Sequence, residues 1–149
     1  MIVRHFDITE AKVQAIGVWI YDRLTGEYEE LKYIKAGYNG IIIAGENITV
    51  EGMTIQECGF DGIALAAGAV NAFILNCDSY RNCDTSAGGE NGDGFAAKEG
   101  TGTVFRGCRA WENGDDGWDV YGGNQPILVD SCWSWGNGVN YWTDYISSY

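Results

Sequence analysis

Short apolar stretches alternate with glycine-containing turns along the chain, and one marker recurs among them. A glycine followed by an apolar residue occurs at Gly17, Gly40, Gly62, Gly94 and Gly117, and the register continues at Tyr141-Trp142. The steps between successive markers are 23, 22, 32, 23 and 24 residues. Fixed periods of about 20 to 50 residues indicate stacked structural units, each too small to bury its own apolar face.

A second marker keeps the same register. The strings CDSYRN at Cys77, CRAWEN at Cys108 and CWSWGN at Cys132 share the order cysteine, any residue, small, aromatic, any residue, asparagine. Stretches such as ITVEGMTI and AFILNC resemble strands, and no window has the periodicity of an amphipathic helix. The sequence therefore predicts an all-β fold, a parallel β-helix (solenoid) of about five to six coils that forms a single domain over residues 1–149.

Equivalent residues of successive coils lie about 4.8 Å apart in a parallel β-helix, so the alignment also predicts spatial neighbours. The cysteines predicted to stack inside the helix are Cys58, Cys77, Cys108 and Cys132. The asparagines predicted to stack at a turn are Asn82, Asn113 and Asn137. We interpret both ladders as structural, because free cysteine behaves as a small buried hydrophobe and asparagine tolerates left-handed turn geometry.

Strand alternation places a third ladder on the outside of the coils. Its members are the aromatic residues Tyr80, Trp111 and Trp135. Such a ladder could contact sugar rings, or it could be covered by the N-terminal segment or by a neighbouring subunit. We favour the covered arrangement, because large contiguous apolar patches are rare on soluble monomers.

Composition narrows the class of protein. The 149 residues are 46% hydrophobic and include 22 glycines and one proline, which suits one domain of strands and tight turns. The formal net charge is -12 and no basic cluster occurs, which argues against a nucleic-acid partner. No apolar run approaches the roughly 20 residues of a membrane span, and no signal-peptide pattern opens the chain. Five cysteines, an odd number, argue against a full disulfide framework.

Carboxylates cluster where the repeat brings two coils together. Asp93 and Asp116 each precede a marker glycine in consecutive coils, and Asp115 and Asp119 lie beside them in the string NGDDGWDVYGG. Two carboxylates about 5 Å apart repel by roughly 3 kcal/mol at an effective dielectric near 20. Either some of them are protonated or a cation is bound, and an all-oxygen set suits calcium better than magnesium. The alternative is that these aspartates are ordinary turn residues.

The segment NCDSYRNCDTSAGGENGDGFAAKEGTGTVFRGCRAWENGDDGWDVYGG resembles family 9 of the polysaccharide lyases, the pectate lyases. The strings NGDGFAAK, GCRAW and DDGWD carry the resemblance, which is strong over residues 76–137 and weaker from residue 41. It implies a right-handed parallel β-helix and an extracellular or periplasmic location. It also implies one calcium ion held by four aspartates: Asp93, Asp115, Asp116 and Asp119.

The resemblance implies β-elimination on polygalacturonate, in which a base removes the C5 proton while calcium neutralises the neighbouring uronate carboxylate. This chain departs from the family pattern at the residue that acts as the catalytic base. Thr143 occupies the slot of the family's catalytic lysine, and Tyr141 replaces a glycine. No catalytic residue is therefore assigned, and His5 lies in a stretch without the repeat. Candidate substrate contacts are Lys98, Arg81 and Arg109.

Two hypotheses of different classes follow. In one, the chain is a calcium-dependent polygalacturonate lyase whose activity is impaired at the lysine slot. In the other, it is a noncatalytic β-helix that uses calcium as a structural staple or to bind an acidic polysaccharide. The pattern predicts no particular oligomeric state.

Overall fold

The computed structural model describes residues 37–121 and 126–138, together with the backbone of four short strands nearer the N-terminus. Three parallel sheets contain all the strands of this part of the chain except one antiparallel pair, β2 (Tyr21–Asp22) with β3 (Glu27–Tyr28). In spatial order the first sheet comprises β1 (Ile2–Val3), β6 (Thr49–Glu51), β9 (Phe73–Leu75), β12 (Thr103–Arg106) and β15 (Ile127–Asp130). The second comprises β4 (Tyr33–Ile34), β7 (Thr54–Gln56), β10 (Asp78–Tyr80), β13 (Arg109–Trp111) and β16 (Trp133–Trp135). The third comprises β5 (Ile41–Ile43), β8 (Ile63–Leu65), β11 (Phe95–Ala96) and β14 (Trp118–Asp119).

From β5 onward the chain visits the third, first and second sheets in turn, which makes one coil of a parallel β-helix. The register follows the glycine markers: Ile63 pairs with Ile41 on one side and with Phe95 on the other, and Phe95 pairs with Trp118. The predicted all-β class and parallel β-helix are therefore confirmed. The segment ITVEGMTI forms β6 and β7 rather than a helix.

The longest step of the repeat, from Gly62 to Gly94, contains an insertion between β10 and β11. It contains a single 3₁₀ turn, Thr85–Ala87. The backbone N–H groups of Ser86 and Ala87 donate to the carboxylate of Asp84. Asp84 also forms an isolated bridge with Gly89, which closes the insertion on itself. The chain therefore returns to the register of the neighbouring coils at Asp93.

The interior is a stack of apolar side chains. Phe95 stacks on Trp118 with ring centroids 4.8 Å apart and packs edge-on against Phe105. Cys58, Cys77 and Cys108 are buried, as the sequence predicts, while Cys132 is only half-buried and packs against the edge of this core. All five cysteines are free.

The stacked asparagines connect the coils through their side chains. Asn82 and Asn113 are fully buried, and the Oδ1 atom of Asn113 accepts from both the backbone N–H and the Nδ2 atom of Asn82, at 3.1 and 2.9 Å. Asn137 accepts from Asn113 in the same way, at 3.0 and 2.9 Å. The predicted turn ladder is therefore confirmed as a continuous hydrogen-bonded column.

Two sequence predictions about the fold stay predictions. One is the single domain over residues 1–149, and the other is the count of five to six coils, of which the described residues hold four complete ones. Within the described part of the chain, no helix has the length and apolar character needed to cross a membrane.

Candidate metal centre

The third sheet positions the acidic residues. Asp93 and Asp116 immediately precede the glycines that lead into β11 and β14, two strands that pair in parallel. Asp119 is the second residue of β14 and pairs with Ala96 of β11. Three aspartates from two coils therefore meet at one end of this sheet.

A second polar ladder fixes the orientation of these side chains. It runs through the residues that precede the marker glycines: Asn39, Asp61, Asp93 and Asp116. Each side-chain oxygen accepts the backbone N–H of the next member, and the amide of Asp116 donates to Oδ1 of Asp93 at 2.9 Å. Because Oδ1 of Asp93 is used by the ladder, Oδ2 is the oxygen that remains for another partner.

Asp93, Asp116 and Asp119 each offer one carboxylate oxygen, and the three oxygens lie within 4.8 Å of one another. We call these residues the acidic cluster. Asp93 and Asp119 are buried, whereas Asp116 is exposed, so the cluster opens to solvent on one side. Asp115 is not part of this group, although its charge acts on both Asp93 and Asp116.

Burial and mutual repulsion destabilise the charged forms of Asp61, Asp93 and Asp116. Burial raises the pKa of Asp93 to about 6, although the amide of Asp116 and the ammonium of Lys98 oppose the rise. Burial, followed by the charge of Asp93, raises the pKa of Asp61 to about 7. The pKa of Asp116 is also raised, first by burial and then by the charge of Asp115. The negative charge at this end of the sheet is therefore incompletely compensated.

Lys98 is the cationic side chain that contacts the acidic cluster within the described residues. Its Nζ atom lies 2.7 Å from Oδ2 of Asp119 and 3.5 Å from Oδ2 of Asp93. Burial lowers the pKa of Lys98, but the hydrogen bond to Asp119 and the charge of Asp93 outweigh burial and raise it overall. The lysine is thus held as a protonated ammonium against the cluster.

The donor set fits a calcium ion. All the candidate ligand atoms are carboxylate oxygens, which hard cations prefer, and no thiol or imidazole belongs to the group. Oδ2 of Asp93 is fully buried and has no hydrogen-bond partner. A buried carboxylate oxygen without a hydrogen bond is costly, because it has lost its hydration without full replacement.

Arg109 is the first residue of β13 and Arg81 directly follows β10, so both lie at the second sheet, whereas the acidic cluster lies at the third. Arg81 forms an ion pair with Glu112 at 2.8 Å, and Nε of Arg109 donates to Asp78 at 2.6 Å. Both pairs join neighbouring coils, which gives the two arginines a structural role. Their assignment as substrate contacts stays a prediction, as does that of Lys98.

The external aromatic ladder is confirmed. Tyr80 stacks on Trp111 with centroids 4.2 Å apart, and Trp111 stacks on Trp135 at 5.0 Å with nearly parallel rings. Tyr80 and Trp111 are half-buried in the column, whereas Trp135 at its end is 48% exposed. The predicted cover of this ladder, the N-terminal segment or a neighbouring subunit, stays a prediction.

Thr143, Tyr141 and His5 lie outside the described residues. Sequence reasoning missed the double contact of Lys98 with the acidic cluster. Strand register contains a signal for it, because Lys98 follows Ala96, the partner of Asp119, by two residues and so falls on the same side of the chain. The period of two in a strand could have placed the lysine near Asp119.

Comparison with known proteins agrees with this architecture. Residues 4–148 match the family model described as the Pel9A-like right-handed β-helix region. The crystal structure of pectate lyase Pel9A superimposes with a TM-score of 0.70 at 35% identity, over 75% of this chain and 29% of that chain. The chain therefore belongs to the Pel9A-like right-handed β-helix family, and its coils are right-handed.

Curated proteins that the chain resembles in sequence are named pectate lyases. The chain is 37% identical over 126 residues to pectate lyase L of Dickeya chrysanthemi, covering 81% of this chain and 30% of the relative. It is 31% identical over 141 residues to pectate lyase PEL9 of Emericella nidulans, covering 83% of this chain and 34% of the relative. The chain thus spans about a third of the length of these two relatives.

Proposed function

We propose that this chain carries the calcium site of a polygalacturonate lyase and binds the acidic polysaccharide through it, with β-elimination impaired at the lysine slot. The observation that carries the proposal is Oδ2 of Asp93, a buried carboxylate oxygen without a hydrogen bond that lies among two further carboxylates. The pectate lyase names of the relatives support the substrate class.

The role that we assign to each aspartate follows from its exposure to solvent. Asp93 and Asp119 are buried and held by backbone amides, those of Asp116 and Tyr121, so they would hold the cation in a fixed place. Asp116 is exposed and would complete the coordination at the mouth of the site. Asp115 would add charge and, by the family pattern, a fourth ligand. When bound, calcium would neutralise a uronate carboxylate and acidify its C5 proton.

The hypothesis of an active enzyme requires a group that accepts the C5 proton, and neither candidate is well suited to that role. Lys98 is the only lysine of the described residues, and its ammonium already donates to Asp119. A protonated ammonium has no lone pair with which to accept a proton. Thr143 has no charge and needs an activating partner before its hydroxyl can act as a base. The sequence at this slot therefore favours binding over rapid turnover.

The proposal predicts retention of the protein in a native gel that contains polygalacturonate and calcium. Replacing Asp116 with Asn removes an exposed ligand without disturbing the buried ladder, because it is the backbone N–H of Asp116 that donates to Asp93. We expect Asp116→Asn to abolish most of the calcium-dependent retention. The matched control is Asp130→Asn, which removes a partly exposed carboxylate from β15 of the first sheet. Equal retention of Asp116→Asn and the wild type would contradict the site.

A further inference from the structure

The position of Lys98 has a consequence for the affinity of the cluster for a cation. Each buried carboxylate of the cluster gives one oxygen to a backbone amide: Oδ1 of Asp93 accepts from Asp116, and Oδ1 of Asp119 accepts from Tyr121. The remaining oxygens are the two Oδ2 atoms, and Nζ of Lys98 lies against both of them. The oxygens that a metal ion needs are therefore the oxygens that the lysine contacts.

The ammonium and a divalent ion cannot share these two oxygens at full strength. A lysine ammonium about 5 Å from a doubly charged ion repels it by more than 1 kcal/mol even at the dielectric of water. The lysine side chain is also able to move away, because it is 37% exposed and ends in a flexible four-carbon stem. Without a bound ion, by contrast, Lys98 supplies the compensating charge for two buried carboxylates.

We propose that Lys98 is a built-in counter-ion that competes with calcium for Oδ2 of Asp93 and Asp119, and so sets the calcium affinity of the site. This inference rests on the proposed calcium site. Binding of the ion displaces the ammonium from the two carboxylates toward solvent. The lysine therefore weakens calcium binding and stabilises the protein when calcium is absent.

The test is calorimetric titration of chelator-treated protein with calcium chloride at low ionic strength. Lys98→Met keeps most of the apolar stem and removes the charge. We expect it to bind calcium about tenfold more tightly than the wild type, the effect of removing one positive charge about 5 Å from the ion. Lys98→Arg keeps the charge and should stay close to the wild type. Arg106→Gln removes an exposed positive charge from the first sheet and should change the affinity far less.

A purely structural lysine would give the opposite sign, because disturbing the cluster would weaken calcium binding. Unchanged or weaker binding by Lys98→Met overturns the inference, and so does an equal gain in Arg106→Gln. If wild type and Lys98→Met both fail to bind calcium, the proposed function fails as well. If the wild type binds and Lys98→Met is no tighter, only the inference fails.

Thermal melts supply a second readout that does not require calcium binding by the wild type. In excess chelator, Lys98→Met should melt at a lower temperature than the wild type, because Asp93 and Asp119 lose their counter-charge. Saturating calcium should remove that deficit. If Lys98→Met does not fold in chelator, calcium-dependent refolding is the expected result, and Lys98→Gln provides a milder variant for the titration. A melting temperature in chelator equal to that of the wild type counts against the counter-ion role.

Discussion

Among single residues, the glycine after Asp93 determines how closely the two coils of the site approach each other. A Cβ atom on Gly94 would lie 2.7 Å from the carbonyl oxygen of Gly117 and 2.8 Å from Cβ of Ala110. Both neighbours belong to the packed ladder and cannot move aside as the end of a flexible side chain could. The absence of a side chain at Gly94 therefore allows the close approach in which the backbone N–H of Gly94 donates to the carbonyl oxygen of Asp116, and the backbone N–H of Asp116 donates to Oδ1 of Asp93, each at 2.9 Å.

Gly94→Ala should destabilise the protein by about 3 kcal/mol, the upper part of the range for inserting a methyl group into a packed interior. Urea unfolding at fixed calcium concentration measures the loss. The control is Gly52→Ala, where a Cβ would meet no atom within 4 Å but the backbone φ is +68°. That variant should lose only about 1 kcal/mol, the cost of placing alanine in the left-handed region. Equal losses would show that packing at Gly94 does not determine the coil spacing.

At the level of elements, the column of asparagines connects the turns that precede the third sheet. Each buried amide accepts hydrogen bonds from the coil before it and donates to groups that are otherwise enclosed. A buried amide that is fully paired contributes little net stability, but its removal leaves several buried donors and acceptors without partners. The middle of the column is therefore more sensitive to substitution than its end.

Asn113→Ala tests this difference. The substitution removes the acceptor of the Asn82 amide and the donor to the carbonyl oxygen of Ser79, both of which are buried. We expect a loss of about 3 kcal/mol in the free energy of unfolding, since each orphaned buried group costs about 1–3 kcal/mol. Asn137→Ala, at the half-buried end of the described column, should lose about 1 kcal/mol. Denaturant unfolding of the two variants side by side measures the difference, and a larger loss at Asn137 would contradict the argument.

At the level of the whole molecule, the sequence predicted the stacking order because that order depends on spacing alone. The step of 23 residues between Gly94 and Gly117 is one coil, so Phe95 pairs with Trp118. The longer step between Gly62 and Gly94 also kept its register, because the additional residues form a closed insertion rather than a shifted strand.

The proximity of the aspartates in the acidic cluster was predicted in part, for the same reason. Spacing brought Asp93 and Asp116 together, and Asp115 and Asp119 were added because they lie beside Asp116 in the sequence and match the family pattern. The strand period places Lys98 on the same side of the chain as Asp119, but whether its ammonium turns toward the cluster depends on rotamer and local charge, which spacing does not contain. Lys98 was therefore expected to contact solvent or substrate, whereas it forms ion pairs with two aspartates. Asp115 was expected among the ligands, but it lies outside the group of three oxygens.

In the proposed function, catalysis belongs to the scale of the whole molecule, because it would need both a cation at the acidic cluster and a base from another part of the chain. We expect little or no lyase activity from this chain, since a positioned base contributes about 10²- to 10⁴-fold to the rate and Thr143 occupies the slot of the base. The assay is incubation with polygalacturonate and calcium at alkaline pH, in which the ultraviolet absorbance of the unsaturated product is measured over time.

Thr143→Lys combined with Tyr141→Gly should raise the rate, and adding Asp116→Asn to that variant should abolish the gain. Rapid calcium-dependent product formation by the wild type would instead require a base elsewhere in the chain, and loss of that activity in Lys98→Met would identify the lysine as that base.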